Sequence, residues 1–280
     1  MSFINKVGLG TVQFGVEYGI SNLSGKTEEL EVSAILNEAG KLGIDLIDTA
    51  AAYGNSENVL GSNDLSRFKI VSKFIISEND SLEIQLNSTL CRLKQISIYG
   101  YLAHRPLSIV EDFSIWEDLK LAREKGLVKK IGFSFNSLEE IDKILSLSIV
   151  PDLIQVPFNF LDRRFTEHMK ELKKNGCEIH TRSTFLQGLF FCDPNNLNSH
   201  FDEVKPILEE LRGLGDDLSG LLLNFVLSQD FVDKVIIGVN NRKQLIENVD
   251  SINSNFNNNL PKCNFILSDK ILMPSNWPKK

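Results

Sequence analysis

An α/β fold, built as a parallel barrel of repeated βα units over residues 1–280 as one domain, is what the sequence predicts, on three observations. Eight short runs rich in Ile, Val and Leu alternate with amphipathic stretches almost from end to end, the signature of repeated βα units. Asp48, Tyr53, Lys73 and His104 each follow such a run, and polar groups delivered at the C-terminal ends of strands describe the reactive face of a parallel barrel. With 280 residues and 42% hydrophobic content, the chain has the apolar material for one large core.

Taken in order, the strand runs fall at residues 7–11, 44–49, 69–73, 98–103, 130–133, 153–156, 178–181 and 234–237. Their apolar residues do not alternate strictly, as expected when both faces of a strand are covered. Residues 28–42 repeat Leu30, Ile35, Leu36, Ala39 and Leu42 near helical spacing. Residues 107–125 do the same with Ile109, Phe113, Trp116, Leu119 and Ala122, so each stretch is expected as one outer helix. Gly43, Gly126 and Gly176 stand where a helix must stop and turn back into a strand. Two stretches break the period. Residues 188–202 make a long connection after the seventh strand, expected as a lid or loop over the site, and the Asn-rich residues 253–259 read as a flexible surface segment.

A net charge of −7 and a pI near 5.3 argue against nucleic acid or an anionic membrane as the main partner, since both select a basic surface. No apolar run reaches the roughly 18 residues that span a bilayer, and Met1 to Lys6 lacks the pattern of a signal peptide, so a cytoplasmic protein is expected. Cys91, Cys177, Cys192 and Cys263 are far apart in sequence, which suggests reduced thiols in place of a disulfide framework or zinc site. Nothing points to an obligatory protein partner.

Asp48 and Tyr53 share the run Asp48-Thr49-Ala50-Ala51-Ala52-Tyr53-Gly54, so a strand end and its loop can face one cavity, with small alanines leaving room for a ligand. A phenol can protonate a nascent alkoxide, but ionising near pH ~10 in isolation it is a sluggish acid at neutral pH. A nearby ammonium favours the phenolate and improves the acid. Lys73 is placed to supply that charge, Asp48 to hold Lys73 charged and oriented, and His104 to donate a hydrogen bond to a substrate carbonyl or share the proton. Such an acid works beside a hydride donor, which has to be a cofactor because no side chain can be one. Each residue alone also has a plain structural reading. Asp48 and Lys73 could be a barrel-mouth ion pair, Tyr53 a capping aromatic, and His104 a loop histidine ahead of Pro106.

Over almost its whole length the chain resembles the aldo-keto reductase superfamily. The resemblance is carried by Gly8-Leu9-Gly10-Thr11 with Phe14-Gly15, by Asp48-Thr49-Ala50 with Tyr53-Gly54, Ser56-Glu57 and Leu60-Gly61, and by Ser72-Lys73. It continues through His104, Ile131-Gly132-Phe133-Ser134, Gln155 with Asn159, Arg182-Ser183 with Gly188, and Ile237-Gly238 with Gln244, Glu247 and Asn248. It implies the (β/α)8 TIM barrel, a nicotinamide dinucleotide cofactor, and a small-molecule carbonyl substrate. It also places Asp48, Tyr53, Lys73 and His104 on the family's catalytic tetrad, with Tyr53 as proton donor.

For the cofactor, the resemblance implies Ser134, Asn136 and Gln155 around the carboxamide of nicotinamide. Arg182 takes the place of the aromatic that usually stacks on that ring; its planar guanidinium can also stack, but adds charge. The pyrophosphate is expected near Ser183 to Gly188 and the turn from Gly238 through Asn240 to Asn241, where backbone amides can receive an anion. Gly10, Thr11 and Asn248 complete the expected cofactor contacts. Gln244 stands where many relatives carry an arginine facing the adenosine 2'-phosphate, with Arg242 and Lys243 close enough in sequence to compensate. NADPH is the expectation, with NADH the other possibility.

His168, His180 and His200 have no metal-ligand spacing, and no metal site is expected. His180, near Arg182, reads either as a site residue or as a barrel-rim hydrogen bond. Phe158, Phe160, Phe185, Phe190 and Phe191 read as core packing or as an apolar substrate wall. Asp162, Arg163 and Arg164 read as a grip on an anionic substrate group or as a solvated turn. Two rival functions are a nicotinamide-binding redox sensor with little turnover and a lyase or isomerase forming a Schiff base on Lys73. The short start and tail imply a comparatively open site. The segments 155–159 and 182–188 resemble a bacterial branch often associated with surface-polysaccharide or unusual-sugar pathways, which implies a keto or aldehyde sugar derivative, nucleotide-linked or not, offset by Arg105, Arg163, Arg164 and Arg182.

Overall fold

The computed structural model describes residues 3–76, 80–214, 218–252, 260–261 and 266–278. Eight strands, β1 (Val7–Gly10), β2 (Leu46–Asp48), β3 (Lys69–Phe74), β4 (Ile98–Ala103), β5 (Val128–Ser134), β6 (Leu153–Pro157), β7 (Glu178–Arg182) and β8 (Lys234–Gly238), close into a barrel in chain order. Every neighbouring pair is parallel, and β8 closes on β1 in the register Val7↔Val235 to Gly10↔Gly238. These are the eight runs read from the sequence, with their ends moved slightly.

Alternate strand residues enter the barrel and sort into three layers, because a strand turns successive side chains to opposite faces. In the middle layer Leu46, Val71, Leu102, Leu153 and Ile236 form one buried apolar cluster inside the barrel, with His180 buried above Glu178. Toward the strand starts Lys69 and Lys234 pair with Asp45 and Lys130 pairs with Glu178, a charged floor. Two residues toward the strand ends lie Asp48, Lys73, His104, Ser134, Gln155 and Ile236's successor Gly238. The outward faces join the outer helices in a larger core that includes Ile47, Ile70, Phe74, Tyr101, Phe133 and Ile179.

Helix Glu29–Leu42 forms as read, and Gly43, Gly126 and Gly176 all adopt the left-handed backbone that ends a helix, at φ 85°, 73° and 86°. The stretch 107–125 is two helices, Leu107–Glu111 and Ser114–Glu124. The break is local chemistry: Asp112 is extended at φ −138°, and its carboxylate accepts from the Ser114 amide and hydroxyl, which restarts the helix. The long connection after β7 carries three short 3₁₀ turns, Leu186–Phe191, Pro194–Asn196 and Ser199–Phe201. The Asn-rich stretch 253–259 and Cys263 lie outside the described residues. No helix among the described residues is long and apolar enough to cross a membrane.

Candidate active site

Lys73 projects from β3 into the barrel with no solvent exposure. Its ammonium donates to both oxygens of Asp48, at 2.9 and 2.7 Å, to the Thr49 carbonyl at 2.9 Å, and to the Tyr53 hydroxyl at 3.4 Å. Burial alone would push this lysine down, but the Asp48 carboxylate and the Tyr53 oxygen more than reverse it and hold the ammonium above its ordinary value. Asp48 is fixed from a third side by the Gln155 amide, which donates to Oδ1 at 2.7 Å. The phenol therefore rests on an ammonium whose donors are held by Asp48 and the Thr49 carbonyl.

The Tyr53 loop is held by its neighbours in sequence and by β1. Thr11 donates its hydroxyl to the Asp48 carbonyl at 2.9 Å, and the Ser56 hydroxyl reaches the Thr11 carbonyl at 3.0 Å. Gly15 passes so close beneath that a β-carbon there would stand 1.6 Å from the Tyr53 carbonyl oxygen. His104 meets the Tyr53 ring edge-on, with centroids 5.9 Å apart. Burial first, then the charges of Lys73, Arg182 and Arg105, press the His104 imidazole down to about 3, so it is neutral at physiological pH; Nδ1 has no hydrogen-bond partner among the described residues.

Tyr53 and Asp48 open onto a cavity of ≈ 320 Å³ at the C-terminal mouth of the barrel. Of the residues expected to hold a cofactor, Gly10, Thr11, Arg182, Ser183, Gly188, Gly238, Asn240, Gln244 and Asn248 line it. Three polar atoms around it, Gln13 Oε1, Thr184 Oγ1 and Asn240 Oδ1, are buried without a hydrogen-bond partner among the described residues. Buried polar atoms are normally satisfied, so a wall with three orphans fits a polar ligand such as a dinucleotide. Two loops meet over this wall: the Ile20 amide donates to the Gln187 carbonyl at 2.9 Å, and a β-carbon on Gly188 would stand 1.9 Å from Ser21 Oγ. The β7 side of the tie is strained, since Ser183, Leu186 and Gln187 all have positive φ (65°, 44° and 51°) without being glycine.

Sequence reading missed Gln13, Tyr18 and Ser21, which line the cavity from the loop after β1. Their only signal was position after a strand end. Burial, joined by the nearby Tyr53 oxygen, raises the Tyr18 phenol to about 12 despite Arg182 and a bond to Gln187, so it is a donor at any physiological pH. The other expected residues stand around the cavity lining. Lys73 donates to the Tyr53 hydroxyl from inside the barrel, and His104 meets the edge of the Tyr53 ring. Gln155 is taken by Asp48, and its Oε1 accepts from Ser134 at 3.4 Å. Asn136 Oδ1 accepts from Arg182 at 2.6 Å, and the same guanidinium donates to the Phe135 carbonyl at 3.1 Å, so Arg182 is pinned in the cavity wall. Arg242 and Lys243, expected to compensate for Gln244, are not among the lining residues, but the Lys243 ammonium lies 3.6 Å from Glu247, which is one of them.

The remaining alternatives divide cleanly. His180 is fully buried in the barrel and bonded to Glu178 at 2.7 Å, away from the cavity. Phe158, Phe160 and Phe190 are core residues, whereas Phe185 and Phe191 line the cavity. Arg164 is committed to Asp162 and Asp269, and Arg163 lies over the Phe225 ring at 4.7 Å. No cluster of metal ligands occurs among the described residues. The burial and threefold engagement of Lys73 leave it no freedom to attack a carbonyl, which removes the Schiff-base reading.

Residues 6–260 match the model of the Aldo/keto reductase family. The chain is 26% identical over 286 residues to the uncharacterized oxidoreductase YqkF of Bacillus subtilis, covering 88% of this chain and 90% of that one. It is also 26% identical over 189 residues to the aldo-keto reductase YhdN of the same organism, covering 61% of this chain and 55% of the relative. Among solved structures, Pseudomonas aeruginosa PA4992 superposes with TM-score 0.67 at 25% identity over 88% of both chains. The aldo-keto reductase AKR11C1 of Bacillus halodurans in its holo form has the same fold, with TM-score 0.70 at 21% identity over 88% of this chain and 86% of that one.

Proposed function

Because the chain belongs to the aldo/keto reductase family, and is on that ground an NAD(P)H-dependent oxidoreductase, we propose that Tyr53 is the proton donor in the reduction of a substrate carbonyl to an alcohol. The observation that carries this reading is the Tyr53 hydroxyl at 3.4 Å from a buried ammonium that is itself clamped by Asp48. A nicotinamide held along the cavity wall would supply the hydride. Tyr53 gives its proton to the oxygen that becomes the alkoxide, Lys73 steadies the phenolate left behind, and solvent returns the proton. Neutral His104, beside the Tyr53 ring, orients the carbonyl by a hydrogen bond. The chemistry at Tyr53 is the same with NADPH and with NADH.

The substrate class we propose is a keto or aldehyde sugar derivative without a nucleotide. Hydroxyl and amide groups at Tyr18, Ser21 and Gln187 support a hydroxylated substrate, and Arg182 is the cation in the wall. A linked nucleotide would call for further cations at the mouth, and Arg163 and Arg164 are engaged elsewhere. Oxidation of NADPH and NADH with a reactive aldehyde, comparing wild type with Tyr53→Phe, tests the assignment. The variant is expected to bind cofactor and to lose about a hundred- to ten-thousand-fold in kcat. Equal turnover by the two proteins removes Tyr53 from the role, and cofactor binding without turnover in the wild type moves the reading to a redox sensor.

A further inference from the structure

Among the described residues that line the cavity, Arg182 alone is cationic. It leaves the end of β7 and reaches past β6. One terminal nitrogen of its guanidinium donates to the Phe135 carbonyl at 3.1 Å and to Asn136 Oδ1 at 2.6 Å, both just beyond β5, and the other donates to Ser183 Oγ at 3.3 Å. All three acceptors are neutral, and no carboxylate among the described residues pairs with this guanidinium. Burying a charge costs free energy unless a counter-charge stands near. Arg182 is part-buried, fixed in place and not neutralised by the protein.

The rest of the wall does not cancel this charge. Asp48 is matched by Lys73 at 2.7 Å, and Glu247, on the helix after β8, has the Lys243 ammonium at 3.6 Å. The field of Arg182 reaches the groups around Tyr53. It helps to hold the His104 imidazole neutral, and it works against burial and the Tyr53 oxygen at the Tyr18 phenol. A hydride passes between carbons about 3–3.5 Å apart. A nicotinamide that serves a carbonyl held by Tyr53 must therefore bring its ring to this end of the cavity. The ring is neutral while it carries the hydride and cationic once the hydride has gone to the carbonyl carbon and Tyr53 has protonated the oxygen.

Given the reductase reading, on which this rests, we infer that Arg182 selects the oxidation state of the cofactor, favouring the reduced nicotinamide over the oxidised one by repelling the cationic ring. The pyrophosphate carries the same charge in both states, so it cancels from the ratio of the two affinities. The aromatic that Arg182 replaces would pull the other way, because the face of a ring attracts a cation. Arg182 thereby favours exchange of spent cofactor for reduced cofactor after each turnover, and it acts as an electrostatic positioning residue without exchanging a proton.

Titration calorimetry of the whole chain, without substrate, compares NADH with NAD+ and NADPH with NADP+. In each pair that binds, the reduced member is expected to bind at least about tenfold tighter, within the range for two charges a few ångströms apart in a partly hydrated wall. Arg182→Gln keeps a donor for the Phe135 carbonyl but removes the charge, and should cut that ratio by about tenfold. Arg182→Lys keeps the charge and should keep the ratio. A role confined to tying β7 to the end of β5 would weaken both members alike and leave the ratio where it was. Equal or tighter binding of the oxidised member by the wild type, or an unchanged ratio in Arg182→Gln, overturns the inference and leaves the reductase reading standing. Binding of no dinucleotide overturns both.

Discussion

His104 shows how much a single environment changes what a residue type can do. An ordinary imidazole titrates near 6.5 and would protonate in the working range, but burial and three nearby cations take this one to about 3. It is therefore a neutral hydrogen-bonding group, and the proton chemistry falls to Tyr53. The same depression has a stability consequence. An unfolded chain binds a proton at this position as pH falls below about 6.5, whereas the folded chain resists until about 3. The unfolded state thus binds more protons between those values, and stability declines with falling pH by up to ~1.4 kcal/mol per unit. Urea midpoints measured from pH 7 down to pH ~4 should fall in the wild type and fall less steeply in His104→Gln. Parallel slopes would mean that the imidazole protonates freely in the folded protein.

Among the elements, the Tyr53 loop depends on β1 and its following turn more than on its own sequence. Gly15 is where the two meet, and the missing side chain is what lets the Tyr53 carbonyl pass. Gly15→Ala cannot be accommodated by a rotamer change, because the clash is with backbone oxygen at 1.6 Å. The loop must shift, and Tyr53 with it, so kcat is expected to fall by about a hundredfold while the barrel stays folded, given how steeply rate depends on sub-ångström placement. Circular dichroism together with steady-state kinetics checks both halves of that expectation. This element also marks how far the sequence could be read. Eight strands were legible because parallel strands are written as continuous apolar runs, and Asp48, Tyr53, Lys73 and His104 because they follow those runs. Tyr18, Gln13 and the capture of Gln155 by Asp48 were not legible. They depend on which side chains meet across the barrel mouth, and no periodicity within one strand records that. The break at Asp112 escaped for the opposite reason: the apolar spacing carries on through it, while one carboxylate resets the backbone.

For the whole molecule, the barrel separates chemistry from support along its axis. The reactive layer at the strand ends sits on the apolar layer of Leu46, Val71, Leu102, Leu153 and Ile236, and beneath that lies the charged floor. Glu178 is the hub of the floor: it accepts from His180 and from Tyr99 at 2.7 and 2.6 Å, and pairs with Lys130. Burial would raise this carboxyl, but the bonds from His180, Lys130 and Tyr99 reverse that and hold it far below the usual carboxylate range. A carboxylate with a depressed folded pKa contributes its stability above the unfolded value, near 4.5, and loses it as pH falls below that point. Replacing the carboxylate by an amide leaves His180, Tyr99 and Lys130 one neutral oxygen in place of two charged ones, a change worth on the order of 2 kcal/mol. Glu178→Gln should therefore lower Tm at neutral pH and narrow its gap to the wild type as pH drops below about 4.5. Its turnover at saturating substrate should stay near the wild-type value, since the apolar layer lies between the floor and Tyr53. A variant with unchanged Tm but lost turnover would show that the two ends of the barrel are coupled through that layer, and that the floor takes part in positioning the site.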